Sequence, residues 1–272
     1  MTKDPRAVLT RPAPPPDLTM RYGEHPDQVI DVRVPPAARR PHRLVVFVHG
    51  GFWRAAYDRA HCGPLAADLA ARGWPVATVE FRRVGQPGGG WPGTFDDVAA
   101  AVRAAPRLLA EAGRPDLAAG PPIVAGHSAG GHLALWCART APDAVAAVLA
   151  LAPVCDLRTA YDRGLGDGAV AELLGGGPHE VPERYATADP MAHPRPDAPT
   201  VLVHGTDDDR VPVDLSRGYA AGTGARLVEL PGVEHFGVID PESAAWPAVL
   251  GALTEIDQLL IDQLLTDDQD SR

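Results

Sequence analysis

The chain has 272 residues and a formal net charge of −10, so it lacks the basic surface that nucleic acids and anionic membranes attract. No apolar run reaches the ~18 residues of a membrane-spanning helix, and the first residues lack the apolar segment of a secretory signal. The composition therefore argues against nucleic-acid and membrane partners and favours a cytoplasmic protein, expected as a monomer or homodimer.

Apolar strand patterns recur along the chain after a polar, proline-rich start. Residues 1–18 are expected to form a flexible arm. The predicted strands, in chain order, are QVIDVRV (28–34), LVVFVHG (44–50), PVATVEF (75–81), PPIVAGHS (121–128), AVAAVLALAP (144–153), TVLVHG (200–205) and RLVELPG (226–232).

Helical patterns lie between these strands. The first ends at Gly73, and the second begins near Thr94, a plausible N-cap. Pro106 should kink or break that second helix, because proline has no N–H to donate. The last helical pattern becomes amphipathic after Pro247.

Strands separated by helix-length segments predict an α/β fold. Such βαβ units give a mostly parallel central sheet with helices on both faces, here as one domain over residues 19–272. Residues 156–196 interrupt the alternation and should lie at the carboxyl edge of the sheet, where a small cap-like insertion would cover a ligand crevice. An irregular surface insertion without function is the alternative.

Ser128 is the candidate nucleophile, at the centre of the G-x-S-x-G sequence GHSAG (126–130). The chain has only four serines, and this one lies where an apolar strand meets a helical pattern. Gly126 and Gly130 permit a tight turn that exposes the Ser128 hydroxyl. The N–H of Ala129 would then face developing negative charge at the start of the helix.

His235 is the candidate general base, because it follows the last predicted strand on a short loop at the same sheet edge as Ser128. His127 and His132 are nearer in sequence but are expected to be packing residues. His127 should face away from the serine, and His132 is one helical turn further along.

The candidate acid lies in the loop HGTDDDRVP, after the strand that ends at His204. Asp207, Asp208 or Asp209 should orient the imidazole of the base and stabilise its charged form. His204 is expected to be structural. The order serine, aspartate, histidine along the chain is that of the α/β-hydrolases.

Three segments together give the chain a family resemblance. HGGFW (49–53), GHSAGGHLA and HGTDDDRVP…EHF resemble the arylformamidase (kynurenine formamidase) branch of the esterase/lipase-like α/β-hydrolases, over about residues 20–262. The resemblance implies an α/β-hydrolase fold and places the acid at Asp208, with Asp207 and Asp209 as alternatives.

The same resemblance implies roles for the HGGFW segment. The N–H of Gly51, with that of Phe52 as a further donor, would join Ala129 in an oxyanion hole. His49, Gly50 and Trp53 would shape this loop without touching the reacting atoms.

The implied reaction is acyl transfer to water through a Ser-His-Asp triad and an acyl-enzyme. The expected substrate is a small carboxylic ester or aryl formamide, with a broad short-acyl carboxylesterase as the alternative. A peptidase, an acyltransferase and a non-catalytic binding protein are further alternatives. This reaction needs no metal or organic cofactor, and none is expected. The three widely spaced cysteines fit neither a disulfide framework nor a metal site. Trp91, Tyr161 and Tyr185 are candidates for lining an aromatic pocket.

Overall fold

An eight-stranded sheet organises the chain, seen in a computed structural model that describes residues 4–37, 41–192 and 198–270. Apolar runs form its central strands, in which every residue is buried. The strands are β1 (Leu18–Arg21), β2 (Val29–Arg33), β3 (Val45–Val48), β4 (Val76–Val79), β5 (Ile123–His127), β6 (Ala147–Leu151), β7 (Thr200–Gly205) and β8 (Arg226–Leu230).

The sheet order is β1-β2-β4-β3-β5-β6-β7-β8. Only β2 opposes the other strands: it pairs antiparallel with β1 and β4, and the pairs from β4 to β8 are parallel. The carboxyl ends of β3, β5, β7 and β8 therefore lie along one edge, where loops from distant parts of the chain meet.

Helices cover both faces of the sheet. They are α1 (Gly63–Ala71), α2 (Gly93–Glu111), α3 (Ala129–Thr140), α4 (Leu157–Asp162), α5 (Ala169–Leu174), α6 (Pro182–Ala188), α7 (Asp214–Thr223) and α8 (Trp246–Asp270). Alternation along β3 sends Val46 and Val48 into one core with α2 and α3, and Val45 and Phe47 into another with α1 and α8. Among the described residues, none of the helices combines the length and apolarity that crossing a membrane requires.

Of the kink or break expected at Pro106, the break does not occur, since the helix continues from Gly93 to Glu111. Proline forfeits one backbone hydrogen bond, while Ala101, Ala105 and Leu109 are fully buried on the face that packs against the core. This packing holds the helix together across the proline. Thr94 is not its N-cap but a buried residue whose hydroxyl bonds to the backbone of residues 82 and 90.

The first residues pack against the domain, where an extended arm was expected. Residues Pro5–Thr10 form a 3₁₀ helix that Asp4 caps, and the Val8 side chain is fully buried in the core on the α1 and α8 face. Arg11 forms a two-armed ion pair with Asp240 and approaches Glu242 at 3.5 Å. The short apolar group AVL inside the polar segment is the local reason for this docking. Residues 1–3 of the expected arm lie outside the described residues.

The segment expected to be a cap-like insertion contains the short helices α4, α5 and α6 and leaves the sheet after β6. Asp189 joins its two ends, since it accepts from the N–H groups of Leu157 at 3.1 Å and Met191 at 3.0 Å. Burial raises the pKa of Asp189 to about 6. Residues 193–197, which include the end of the expected insertion, lie outside the described residues.

Candidate active site

Ser128 lies on a strained turn between β5 and α3. Its φ of 55° and ψ of −118° are rare for a residue with a side chain, and such conformations cost on the order of 1–3 kcal/mol. The turn is held by the bond from the Ser128 N–H to the Leu151 carbonyl, at 2.8 Å. The strain projects the side chain of Ser128 out of the strand-to-helix corner, as a nucleophile elbow requires.

Two glycines permit this corner because three backbone segments meet there. A Cβ at Gly126 would lie 2.2 Å from the Gly130 carbonyl oxygen, and a Cβ at Gly130 would lie 2.0 Å from that of Val48. These distances are far shorter than van der Waals contact, so α3 approaches β3 and β5 this closely only with glycine at both positions.

His235 and Asp208 form a buried pair at the same sheet edge. The His235 Nδ1 is 2.6 Å from Asp208 Oδ2, and the other carboxylate oxygen accepts from the N–H groups of Arg210 and Val211 at 2.9 and 2.8 Å. Burial alone would raise the pKa of Asp208, but hydrogen bonds from His204 and His235 hold it well below its ordinary value. Asp208 is therefore a carboxylate that fixes the orientation of His235.

The other two aspartates of the loop point elsewhere. Asp207 and Asp209 are exposed; Asp207 accepts from the hydroxyl of Thr206, and Asp209 lies 3.4 Å from Arg210. The structure thus brings Asp208, and not its neighbours, to His235.

His204 supports the acid, in the structural position expected of it. Its Nε2 faces two acceptors, Asp208 Oδ2 at 3.2 Å and the Val211 carbonyl at 2.8 Å, so this nitrogen carries the proton. The Nδ1 then accepts from the hydroxyl of Ser216 at 2.7 Å. The histidine joins β7, the acid loop and α7 into one buried network.

A cavity of about 50 Å³ lies beside Ser128 and His235. Gly50, Gly51 and Phe52 from the HGGFW loop form part of its wall. Gly51 has a φ of 115°, and the loop turns back so that its backbone borders the cavity. Phe52 also touches the insertion, since a Cβ at Gly166 would lie 2.5 Å from its ring.

Three backbone N–H groups near Ser128 are available to a ligand. Within the described ranges, no protein acceptor bonds to the N–H of Gly51, Phe52 or Ala129. Ala129 is the first residue of α3, where the helix dipole adds partial positive charge. Such groups suit an oxyanion that develops beside the serine.

His49, which was expected to shape the HGGFW loop, contacts both that loop and Glu80. Its Nδ1 is 2.7 Å from the Gly50 carbonyl oxygen and its Nε2 is 2.9 Å from Glu80 Oε1. Burial would raise the pKa of Glu80, but the bond from His49 and the nearby Arg83 lower it to about 2. Trp53 is buried in the core, edge-on to His132, and does not border the cavity.

His127 differs from the expectation of a packing residue that faces away. It borders the same cavity as Ser128, its ring centroid is 4.5 Å from that of His235, and its Nε2 donates to the His235 carbonyl at 3.0 Å. Burial and the nearby His235 place its pKa well below the ordinary value, so it is neutral. His132 is a buried packing residue, as expected.

Sequence reasoning missed part of the cavity wall. It did not anticipate the contributions of Arg6, Leu9, Tyr57, His61, Arg210 and Phe236. The positions of Arg210 and Phe236, next to the acid loop and the base, were the available signal for two of them. The aromatic residues expected to line a pocket lie elsewhere: Trp91 packs on Phe95, and Tyr161 packs on the buried Tyr185.

Comparisons with known proteins identify a family and related esterases. The BD-FAE family model matches residues 30–221, well over half of the chain. Esterase LipC from Mycobacterium tuberculosis is 28% identical over 246 residues, which cover 80% of this chain and 59% of LipC. The probable carboxylic ester hydrolase LipM from the same organism is 27% identical over 226 residues, which cover 74% of this chain and 51% of LipM. The chain thus spans little more than half the length of these two relatives.

A solved structure extends the likeness to the fold. The crystal structure of esterase B from Lactobacillus rhamnosis superposes with a TM-score of 0.71 at 19% identity, over 98% of this chain and 92% of that one. At such low identity the likeness concerns the fold alone. The predicted α/β-hydrolase fold, with a mostly parallel sheet between helices, is confirmed.

Proposed function

Since the chain belongs to the BD-FAE family, we propose that it is a serine hydrolase that cleaves small carboxylic esters with Ser128, His235 and Asp208 as its triad. One observation carries the proposal: a serine on a strained elbow shares a cavity with a histidine whose Nδ1 is 2.6 Å from a buried carboxylate. The names of LipC and LipM, an esterase and a probable carboxylic ester hydrolase, support the same class of reaction.

The first step is attack of Ser128 Oγ on the ester carbonyl. Because the His235 Nδ1 donates to Asp208, the Nε2 of His235 is left with a lone pair that accepts the Ser128 proton. The imidazolium formed is stabilised by Asp208 and gives its proton to the leaving alcohol. Water then attacks the acyl-enzyme with His235 again as the base, and the carboxylic acid and free serine are released.

The oxyanion of the tetrahedral intermediate is stabilised by backbone N–H groups. We assign this role to Gly51, Phe52 and Ala129, because their N–H groups lack protein acceptors among the described residues. Gly51 and Phe52 line the same cavity as Ser128, and Ala129 follows Ser128 directly. Loss of a single such donor typically costs about 100-fold to 1000-fold in turnover. The pair of His49 and Glu80 maintains the loop that supplies two of the donors.

The small cavity favours a small acyl group, such as formyl or acetyl. We further propose an aryl formamide as a candidate substrate, since formyl is the smallest acyl group and the HGGFW loop resembles that of the arylformamidases. A short-acyl ester meets the same size requirement, so the two substrates are separated by experiment.

The test is a kinetic comparison of 4-nitrophenyl esters of increasing acyl length with N-formylkynurenine. Wild type should hydrolyse the acetyl ester fastest among the esters, and Ser128→Ala should lower kcat by about 10⁴-fold or more. Ser243→Ala is the matched control, because Ser243 caps a turn away from the cavity and should retain full activity.

Undiminished activity of Ser128→Ala would refute the triad. Faster hydrolysis of N-formylkynurenine than of any ester would indicate an arylformamidase. Hydrolysis of esters alone would indicate a short-acyl esterase. A rate that rises steadily with acyl length would contradict the assignment of a small acyl site.

A further inference from the structure

Two arginines stand beside the candidate nucleophile, and the proposed hydrolysis does not use them. Arg6, from the N-terminal 3₁₀ helix, and Arg210, from the acid loop, border the same cavity as Ser128 and His235. Both arginines are exposed, so their guanidinium groups lie at the solvent side of this cavity.

The described residues that line this cavity include no aspartate or glutamate; the carboxylate of Asp208 is bonded to His235 and is not among them. Within residues 4–37, 41–192 and 198–270, Arg6 forms no ion pair. Asp4 and Asp58, which share the adjoining groove with Arg6, each accept from a backbone N–H. Arg210 has one partner, the exposed Asp209, at 3.4 Å.

The position of Arg6 is determined by the packing of its segment. Val8 is fully buried two residues further along, and Arg11 pairs with Asp240 in the loop after His235. Leu9 from the same short helix also borders the cavity. Because Val8 and Arg11 anchor this segment, Arg6 is held beside the entrance of the cavity.

We infer that Arg6 and Arg210 select substrates whose leaving group carries a carboxylate; this inference rests on the proposed hydrolase function. The net charge of −10 disfavours the approach of an anion, whereas two guanidinium groups on the cavity wall supply positive charge beside the nucleophile. Guanidinium is also the side-chain group best matched to a carboxylate in geometry. The small inner cavity takes the acyl group, so the charged part lies outside, toward the arginines.

The test uses two nearly isosteric acetate esters, 4-acetoxyphenylacetate and its primary amide, 4-acetoxyphenylacetamide. The methylene group separates the charge from the phenol, so the esters have similar intrinsic reactivity. In wild type kcat/KM should favour the anion, mainly through a lower KM. Arg6→Gln and Arg210→Gln should each lower kcat/KM for the anionic ester by about fivefold and leave kcat/KM for the neutral ester unchanged.

Arg107→Gln is the matched control, since Arg107 is an exposed arginine on α2 outside this cavity. This variant should keep the wild-type kcat/KM for both esters. Added salt should reduce the wild-type preference for the anionic ester. Equal values of kcat/KM for the two esters in wild type, or equal losses for both esters in the variants, would overturn the inference. If the neutral acetate ester is still hydrolysed and its hydrolysis depends on Ser128, the proposed function stands. If wild type hydrolyses neither ester, the inference and the proposed function are both refuted.

Discussion

At the scale of single residues, the candidate site combines backbone strain with buried charge. Ser128 has a positive φ, and Asp208 is a carboxylate almost completely removed from water. Neither feature favours stability by itself, since strain and desolvation both cost free energy. Asp208 is tolerated because two backbone N–H groups and two histidines bond to it. Such an arrangement is typical of a catalytic site.

Asp208→Asn tests the assignment of the acid. An amide cannot stabilise the imidazolium of His235 and favours the wrong tautomer, so kcat should fall by about 10⁴-fold. Asp207→Asn and Asp209→Asn are matched controls in the same loop, and both should keep wild-type kcat because these side chains are exposed. Steady-state hydrolysis of 4-nitrophenyl acetate measures all three. A large loss in either control, with Asp208→Asn active, would contradict the assignment.

Two features of single residues could not be predicted from the local sequence: which aspartate is the acid, and where His127 points. Three consecutive aspartates follow β7, and nothing local distinguishes them. The family resemblance indicated Asp208, and the backbone turn directs that side chain inward to His204 and His235. The inward direction of His127 was missed because it depends on the path of the distant loop that contains His235.

At the scale of elements, the site depends on the close approach of β3, β5 and α3. Glycine at positions 126 and 130 is the condition for this packing, since the backbone atoms of neighbouring segments occupy the space of a Cβ. Sequence reasoning anticipated this corner because an apolar strand, a G-x-S-x-G turn and a helical pattern are all local signals. A kink or break was predicted at Pro106, because proline cannot donate a backbone hydrogen bond and the packing that holds α2 together across it is not a local signal.

Gly130→Ala tests this packing. Its Cβ would lie 2.0 Å from the Val48 carbonyl oxygen, so α3 must shift, and both stability and activity should fall. The loss of stability should be about 1–3 kcal/mol, as for other overpacked sites, and urea unfolding measures it. Gly218→Ala is the matched control on α7: nothing lies within 4 Å of its Cβ, and alanine in a helix should raise stability by about 0.5–1 kcal/mol. Equal stability of Gly130→Ala and wild type would contradict the close approach.

At the scale of the whole molecule, buried charges join parts of the chain that are far apart in sequence. Glu80, at the end of β4, bonds to His49 and to the N–H of Arg59, and Arg83 links it to Asp27. The 3₁₀ helix at the N-terminus is tied to the loop after His235 through Arg11 and Asp240. These contacts make the candidate site a product of the entire domain.

Acid should destabilise the folded protein, in part through Glu80. Its pKa is lowered from 4.5 to about 2 in the folded state, so its contribution is complete above about pH 4.5 and is lost as the pH falls toward 2. The corresponding loss is at most about 3 kcal/mol. Asp189 has the opposite effect on stability. Its pKa is raised from 3.8 to about 6 in the folded state, so its protonation stabilises the folded protein as the pH falls from about 6 to 3.8. A variant of Glu80 is therefore needed to isolate the contribution of this residue.

Glu80→Gln should be less stable than wild type at neutral pH, yet its urea midpoint should fall less steeply between about pH 4.5 and 2. Glu183→Gln is the matched control, because Glu183 is exposed, and it should keep the wild-type slope. Identical slopes for Glu80→Gln and wild type would mean that the bond to His49 does not stabilise the carboxylate.

The order of the strands from β2 to β8, the strand-to-helix turn at Ser128 and the HGGFW loop were readable from the amino-acid order, because each depends on neighbours within a few residues; β1 and the short helices α4 to α6 were not predicted. The pairing of Asp208 with His235, the inward direction of His127 and the meeting of Arg6 with Arg210 at one cavity were decided only by the folded chain. The sheet order brings residues 128, 210 and 235 to one edge, and the docking of the N-terminal 3₁₀ helix brings residue 6 to the same cavity. The side chains that meet there depend on long-range packing that no short stretch of sequence encodes.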